Sequence, residues 1–71
     1  MAMHHASVQS SNIKSVGYDD ATRELEVRFH SGSTWRYANV DPRTHHQLVN
    51  AKSVGSHFQR HIRGAYKGSQ Q

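Results

Sequence analysis

With 71 residues the chain has room for one small domain and no second, and chains of this size bury only about 60% of their unfolded surface, so self-association is open to it. It has no cysteine and no run of even five apolar residues, which excludes a disulfide frame, a thiolate metal site, a cysteine nucleophile and a membrane span, and fits a cytoplasmic protein. Its net charge of +4 is unevenly spread: residues 1–41 sum to −1, whereas residues 42–71 carry Arg43, Lys52, Arg60, Arg63 and Lys67 with no acid, so the second half is the candidate surface for an anionic partner.

The opening "MAMHHASVQSS" has no positive segment followed by an apolar one and is therefore no signal peptide; its short polar residues predict a flexible tail over 1–9. "NIKSVGYD" mixes β-branched and aromatic residues and reads as a strand. It runs into "YDDATRE", where Asp19, Asp20 and Thr22 can bond the backbone of a turn. "ELEVRFH" alternates cleanly, with Leu25, Val27 and Phe29 on one face and Glu24, Glu26, Arg28 and His30 on the other, which predicts a half-buried strand whose acids lie exposed. "HSGS" and "TWRYANV" complete a hairpin with it.

Loop length sets the register of that hairpin, and with it the fate of Trp35 and Tyr37, which share a face because they stand two apart. A two-residue turn at Ser31-Gly32 pairs Arg28 with Trp35 and Val27 with Arg36, leaving the rings as a separate surface. A three-residue loop, His30-Ser31-Gly32, puts Gly32 in the left-handed position of a type I turn with a G1 bulge. Val27 then pairs with Trp35 and Leu25 with Tyr37, and both rings join the apolar face. Ser-Gly is a weaker primed-turn signal than Asn-Gly, and so small a chain needs every large apolar group for its core. The second register is therefore expected, with Arg36 facing outward beside Arg28.

"VDPRTHHQLVNAK" announces a helix: Asp41 suits the N-cap and Pro42 the first helical position, Leu48, Val49 and His45 supply the inner face, and the end falls near residues 50–52. "SVGSHFQRHIRG" reads as a second helix, capped by Ser53 or Ser56 and closed by Gly64. Val54, Phe58 and Ile62, at steps of four, form its packing stripe, while His57, Arg60 and Arg63 occupy the opposite arc. The expected architecture is α+β, a three-stranded antiparallel meander with two C-terminal helices packed on one face, in a single domain over 10–67 with a flexible tail over 68–71.

From Ser10 to Tyr66 these residues resemble the KTSC domain, a short module named for its occurrence at the C-terminus of some lysyl-tRNA synthetases and also found alone in bacteria and phages. "SSNIKSVGYD" is similar to the family's opening strand and "LEVRFHSG" to its second strand and turn. "WRY" resembles its central tyrosine-x-tyrosine motif, with Trp35 in place of the first tyrosine. "VDP" and "FQRHIRGAY" resemble the start of its helix and its C-terminal signature. The segment before the second helix, more basic in the family, carries Val54 and Ser56 here, which weakens a phosphate-binding role for 53–56. The resemblance implies no aminoacylation, because the synthetase catalytic domain is absent; RNA binding is what the synthetase context suggests.

The charge pattern points the same way. Arg60, Arg63 and Lys67, with His57 beside them, offer guanidinium forks and a point charge for phosphates, and Arg36 and Lys14 would extend the patch. The competing reading is a solvated face with an arginine paired to Asp19, Asp20 or Glu26. Tyr66 either stacks on a base or pins the C-terminal segment to the core. His57 and His61, with His45 or His46, have a usable ligand spacing, yet without a cysteine or an HExxH glutamate no metal or other cofactor is expected. The acids fall in a turn and on an exposed strand face, and there is no nucleophile or Gly-rich phosphate loop, so no enzyme is expected. The expected function is non-catalytic binding of RNA or another phosphate-bearing nucleotide. Two readings stand beside it: a protein-interaction module docking on a larger enzyme through the open sheet face or an edge strand, and a homo-oligomer caging a small signalling nucleotide between its subunits.

Overall fold

In the computed structural model, which describes residues 4–71, the chain runs β1 (His4–Ser7), β2 (Ile13–Asp19), β3 (Glu24–Phe29), β4 (Thr34–Tyr37), α1 (Pro42–Val49), α2 (Val54–His61) and β5 (Gly68–Gln70). The strands form one antiparallel sheet in the order β1-β2-β3-β4-β5. The fold is α+β as expected, but the sheet has five strands rather than three. Residues 4–7 and 68–70, read from sequence as parts of flexible tails, are its two edges, and residues 1–3 of the N-terminal tail lie outside the described residues. A three-stranded meander would leave the outer backbone groups of β2 and β4 open, and these two segments fill them. Neither "HHAS" nor "GSQ" carries apolar alternation, so no side-chain period betrays them, and their pairing rests chiefly on the backbone ladder.

The β3–β4 hairpin has the three-residue loop. The Phe29 N–H donates to the Ser33 carbonyl at 2.9 Å, the Gly32 N–H donates to the Phe29 carbonyl at 3.0 Å, and Gly32 takes a φ of +99°, the left-handed position that closes a G1 bulge. Val27 therefore stands opposite Trp35 and Leu25 opposite Tyr37, and both rings turn to the apolar face.

That face packs on the helices. Leu25, Val27, Ile13 and Val16 from the sheet join Val40, Leu48, Val54, Phe58 and Ile62 in one buried cluster that includes Tyr37. Phe58 meets Phe29 and Tyr37 edge to face, with centroids 5.6 Å apart in each case, the geometry that ring quadrupoles favour. The α2 stripe is as read: Val54, Phe58 and Ile62 are all buried. Ser53 caps the helix, its hydroxyl accepting from the Ser56 N–H at 3.3 Å. Asp41 holds the N-cap position of α1, yet its carboxylate accepts from the Thr44 hydroxyl at 2.6 Å rather than from a backbone N–H. His45 lies flat on Tyr18, with rings 4.6 Å apart and 7° from parallel. No helix among the described residues is long and apolar enough to cross a membrane.

On the other face of the sheet Glu26 is not the exposed acid that alternation predicts; only 7% of it reaches solvent. Arg36, directly opposite on β4, donates to it at 2.7 Å. From β1, the His5 ring reaches it at 2.6 Å across Gly17, where a Cβ would stand 2.6 Å from the imidazole. The second ring nitrogen of His5 lies 2.9 Å from the Ser15 hydroxyl. The strand missed in the sequence is thus what buries this carboxylate.

Candidate functional site

The segment that follows α2 is wound around a single carbonyl. The N–H groups of Ala65 and Tyr66 both donate to the Ile62 oxygen at 3.1 Å, and Gly64 takes a φ of +86° to allow it. Thr44 spends its hydroxyl proton on Asp41, so the Tyr66 hydroxyl, 3.3 Å away, donates to Thr44. Ala38 then bonds the Lys67 carbonyl at 3.0 Å and β5 begins. Tyr66 is therefore pinned, as one of its two readings had it, but the pinning leaves it half-buried on the wall of a cleft.

That cleft, about 420 Å³ in volume, lies between the β3–β4 hairpin and the C-terminal end of α2. Buried Tyr37 and Phe58 form its floor, half-buried Trp35, Phe29 and Tyr66 its walls, and Ser31, Ser33, Gln59 and Arg63 its polar rim. The three aromatic residues singled out in the sequence thus meet in one place, Tyr37 as core and Trp35 as both core edge and cleft wall. No carboxylate lines it.

A second cleft of about 420 Å³ opens at the start of α2, lined by residues 9–12 with Lys52, Ser53, Gly55, Ser56, Gln59 and Arg60. Apart from Gly55 its lining residues are all polar types. Gln59 borders both clefts, so Arg60 and Arg63, expected on one arc, open onto different ones.

Every ion pair among the described residues converges on Glu26. Arg60, Arg63 and Lys67 are exposed and have no carboxylate partner among those residues; Arg63 makes only a 3.4 Å contact to the Gln59 side-chain oxygen. Arg36 is not brought to this group, being held by Glu26 on the far face of the sheet. Arg28 approaches the same carboxylate at 4.0 Å. Lys14 stands exposed at a bulge in β2, between Ile13 and Ser15. His57 is half-buried, its ring centroid 4.4 Å from that of His61. Burial, and then the charge of His61, holds its pKa below the ordinary histidine value. No three His, Asp or Glu side chains among the described residues gather as a metal-ligand set; His45 is committed to Tyr18.

Sequence reasoning missed Gln59, Ser31 and Ser33. Gln59 was legible, because it stands four residues before Arg63 and so shares its helix face. The serines sit in and beside a loop whose side chains carry no period.

Comparison with known proteins places the chain in a family. The KTSC domain family model matches residues 9–66. An uncharacterized protein of Stutzerimonas stutzeri is 43% identical over 56 residues, covering 79% of each chain. A lysine–tRNA ligase of Nostoc punctiforme is 39% identical over 62 residues, which are 87% of this chain and 11% of the ligase, so the chain spans about a tenth of that enzyme's length. The crystal structure of a KTSC domain protein from Yersinia pestis superposes with a TM-score of 0.92 at 37% identity, covering 99% of both chains. With a family match over most of its length and the same fold in a solved relative, the chain belongs to the KTSC domain family.

Proposed function

We propose that this KTSC domain is a small non-catalytic module that binds RNA through the basic surface running from α2 to Lys67. Arg60, Arg63 and Lys67 contact phosphates, and His57 supplies a hydrogen bond. The observation that carries the reading is the separation of charge. The sheet's ion pairs gather on Glu26, whereas the cations of α2 and the segment after it have no carboxylate partner among the described residues. An unpaired cation set of this kind recruits polyanions and releases their counterions. The likeness to lysine–tRNA ligases, enzymes named for a tRNA substrate, supports RNA over other polyanions.

The test is fluorescence anisotropy of labelled RNA against the wild-type chain and an Arg60→Ala/Arg63→Ala variant at low salt. The double variant is expected to bind at least 10-fold more weakly. Equal binding by the two, or no binding by the wild type, sinks the proposal.

A further inference from the structure

Five aromatic side chains line the cleft beside the β3–β4 hairpin, and three of them are used up among themselves: Phe29 and Tyr37 both pack edge to face on Phe58. Trp35 and Tyr66 pair with no other ring among the described residues, yet both are anchored, Trp35 by its place opposite Val27 and Tyr66 by its hydroxyl bond to Thr44. Two half-exposed rings on rigid supports, facing a recess, offer stacking surface that the fold itself does not consume.

The recess and its rim narrow the occupant. A volume of about 420 Å³ is near the small end of ligand pockets, which run from roughly 300 to 1,000 Å³, and suits one nucleotide rather than several. Gln59 presents both a donor and an acceptor, the pair of groups that reads a base edge, and its oxygen is engaged only by the long 3.4 Å contact from Arg63. Among the described residues Arg63 has no carboxylate to leave, and Lys67 follows directly after Tyr66, so charge complementarity selects an anionic chain. A base inside a duplex keeps both faces stacked on its neighbours and cannot enter such a recess, whereas an unpaired base can be splayed into it.

We infer that this cleft seats one unpaired base of single-stranded RNA, stacked against Trp35 and Tyr66, with its edge on Gln59 and its phosphate on Arg63. The inference rests on the RNA-binding reading above and adds to it a preference for single strands that the charge on α2 alone would not produce.

Trp35 is the single tryptophan, so its emission reports on the cleft. We would titrate the chain with an eight-nucleotide RNA of mixed sequence, with the same sequence as a duplex, and with the four nucleoside monophosphates, following anisotropy and Trp35 emission together. The single strand is expected to change Trp35 emission and to bind at least 10-fold more tightly than either of the others. Trp35→Ala, checked for folding by circular dichroism, and Gln59→Ala, an exposed position without folding risk, should each reduce single-strand binding and leave duplex binding unchanged. Should Trp35→Ala fail to fold, 4-thiouridine placed in the oligomer must crosslink to Trp35 or Tyr66 in the wild type. Equal binding of single strand and duplex with unchanged emission overturns the cleft while leaving phosphate binding by α2 in place. Monophosphates binding as tightly as the oligomer, or crosslinks mapping away from the cleft, also overturn it. Absence of binding to any RNA removes both readings.

Discussion

His5 and Glu26, 21 residues apart in the chain, meet at 2.6 Å on the face of the sheet turned away from the helices. The contact exists because Gly17 between them has no side chain: the imidazole occupies the place where a Cβ would stand. Glu26 accepts from His5 on one oxygen and from Arg36 on the other, so an acid with 7% exposure is satisfied at both ends, as a buried carboxylate must be. The edge strand β1 is thereby fastened by a side-chain bond as well as by its ladder.

Gly17→Ala should expel the His5 ring and unfasten that edge. The expected loss is about 1 kcal/mol, the typical net value of one hydrogen bond and less than the full value of a charged one, since the freed ring regains solvent. For a domain of this size that lowers the melting temperature by about 4–8 °C. Hydrogen exchange should show the amides of residues 4–7 losing protection first; a variant with wild-type protection there would contradict the assignment.

The acid limb of the stability profile should belong largely to Glu26. Burial is the largest single influence on its pKa and acts to raise it, but the hydrogen bonds from Arg36 and His5, with their charges, together outweigh burial and hold it below the ordinary glutamate value. A carboxylate depressed in the folded state adds stability that is complete above its unfolded pKa and is lost as pH falls through the folded one. Urea unfolding at steps from pH 7 to pH 3 should therefore show stability falling below about pH 4.5. Glu26→Gln should be less stable at pH 7 and should flatten that fall; an unchanged acid limb would assign it to other groups.

Arg36 and Arg63 should separate structure from binding. Arg36→Ala leaves Glu26 buried without its main partner and is expected to cost about 1–2 kcal/mol, moderated by the solvent access of the guanidinium, with RNA affinity unchanged. Arg63→Ala should do the reverse, leaving the melting temperature within a degree or two and weakening RNA binding. Parallel thermal and anisotropy measurements on both variants check this, and the opposite pattern would put the phosphate contacts on the far face of the sheet.

RNA affinity should depend steeply on salt. Three phosphate contacts on a single strand give a slope of about −2 in a plot of log affinity against log salt, and removal of Arg60 and Arg63 together should bring it to about −0.7. A slope near zero for the wild type would mean that contacts other than phosphates dominate.

Gly32→Ala tests the hairpin. With φ at +99°, any side chain there is strained by about 1 kcal/mol, although there is open space around the position. The variant should unfold at lower urea while its Trp35 emission stays native-like, because the Val27–Trp35 pairing is also held by the core. A red-shifted emission would show that the register itself had slipped.

Much of this architecture was legible in local pattern. The alternation over Leu25, Val27 and Phe29, the glycine at the third position of the hairpin loop, Asp41-Pro42 and the stripe of Val54, Phe58 and Ile62 each state their structure within a few residues, because strand and helix periods are local properties of the chain. Counting left two registers for Trp35, and the need of so small a chain for core favoured the one the structure shows. The candidate site was legible in part: its rings and its arginines were identifiable, but not that Trp35, Tyr66 and Arg63 surround one recess while Arg60 faces another.

By itself the sequence determined the α+β class, both helices and the basic second half, and favoured one of two hairpin registers, all of which depend on side-chain period, turn chemistry and composition. Only the tertiary structure decided that residues 4–7 and 68–70 complete the sheet, that Glu26 is buried and takes Arg36 out of the basic surface, and that Tyr66, bonded to Thr44 from 22 residues away, forms the wall of a cleft. Those features arise where distant segments meet, through backbone pairing that any polar residue can make and through contacts across 10 to 22 positions of sequence, where no local period exists to announce them.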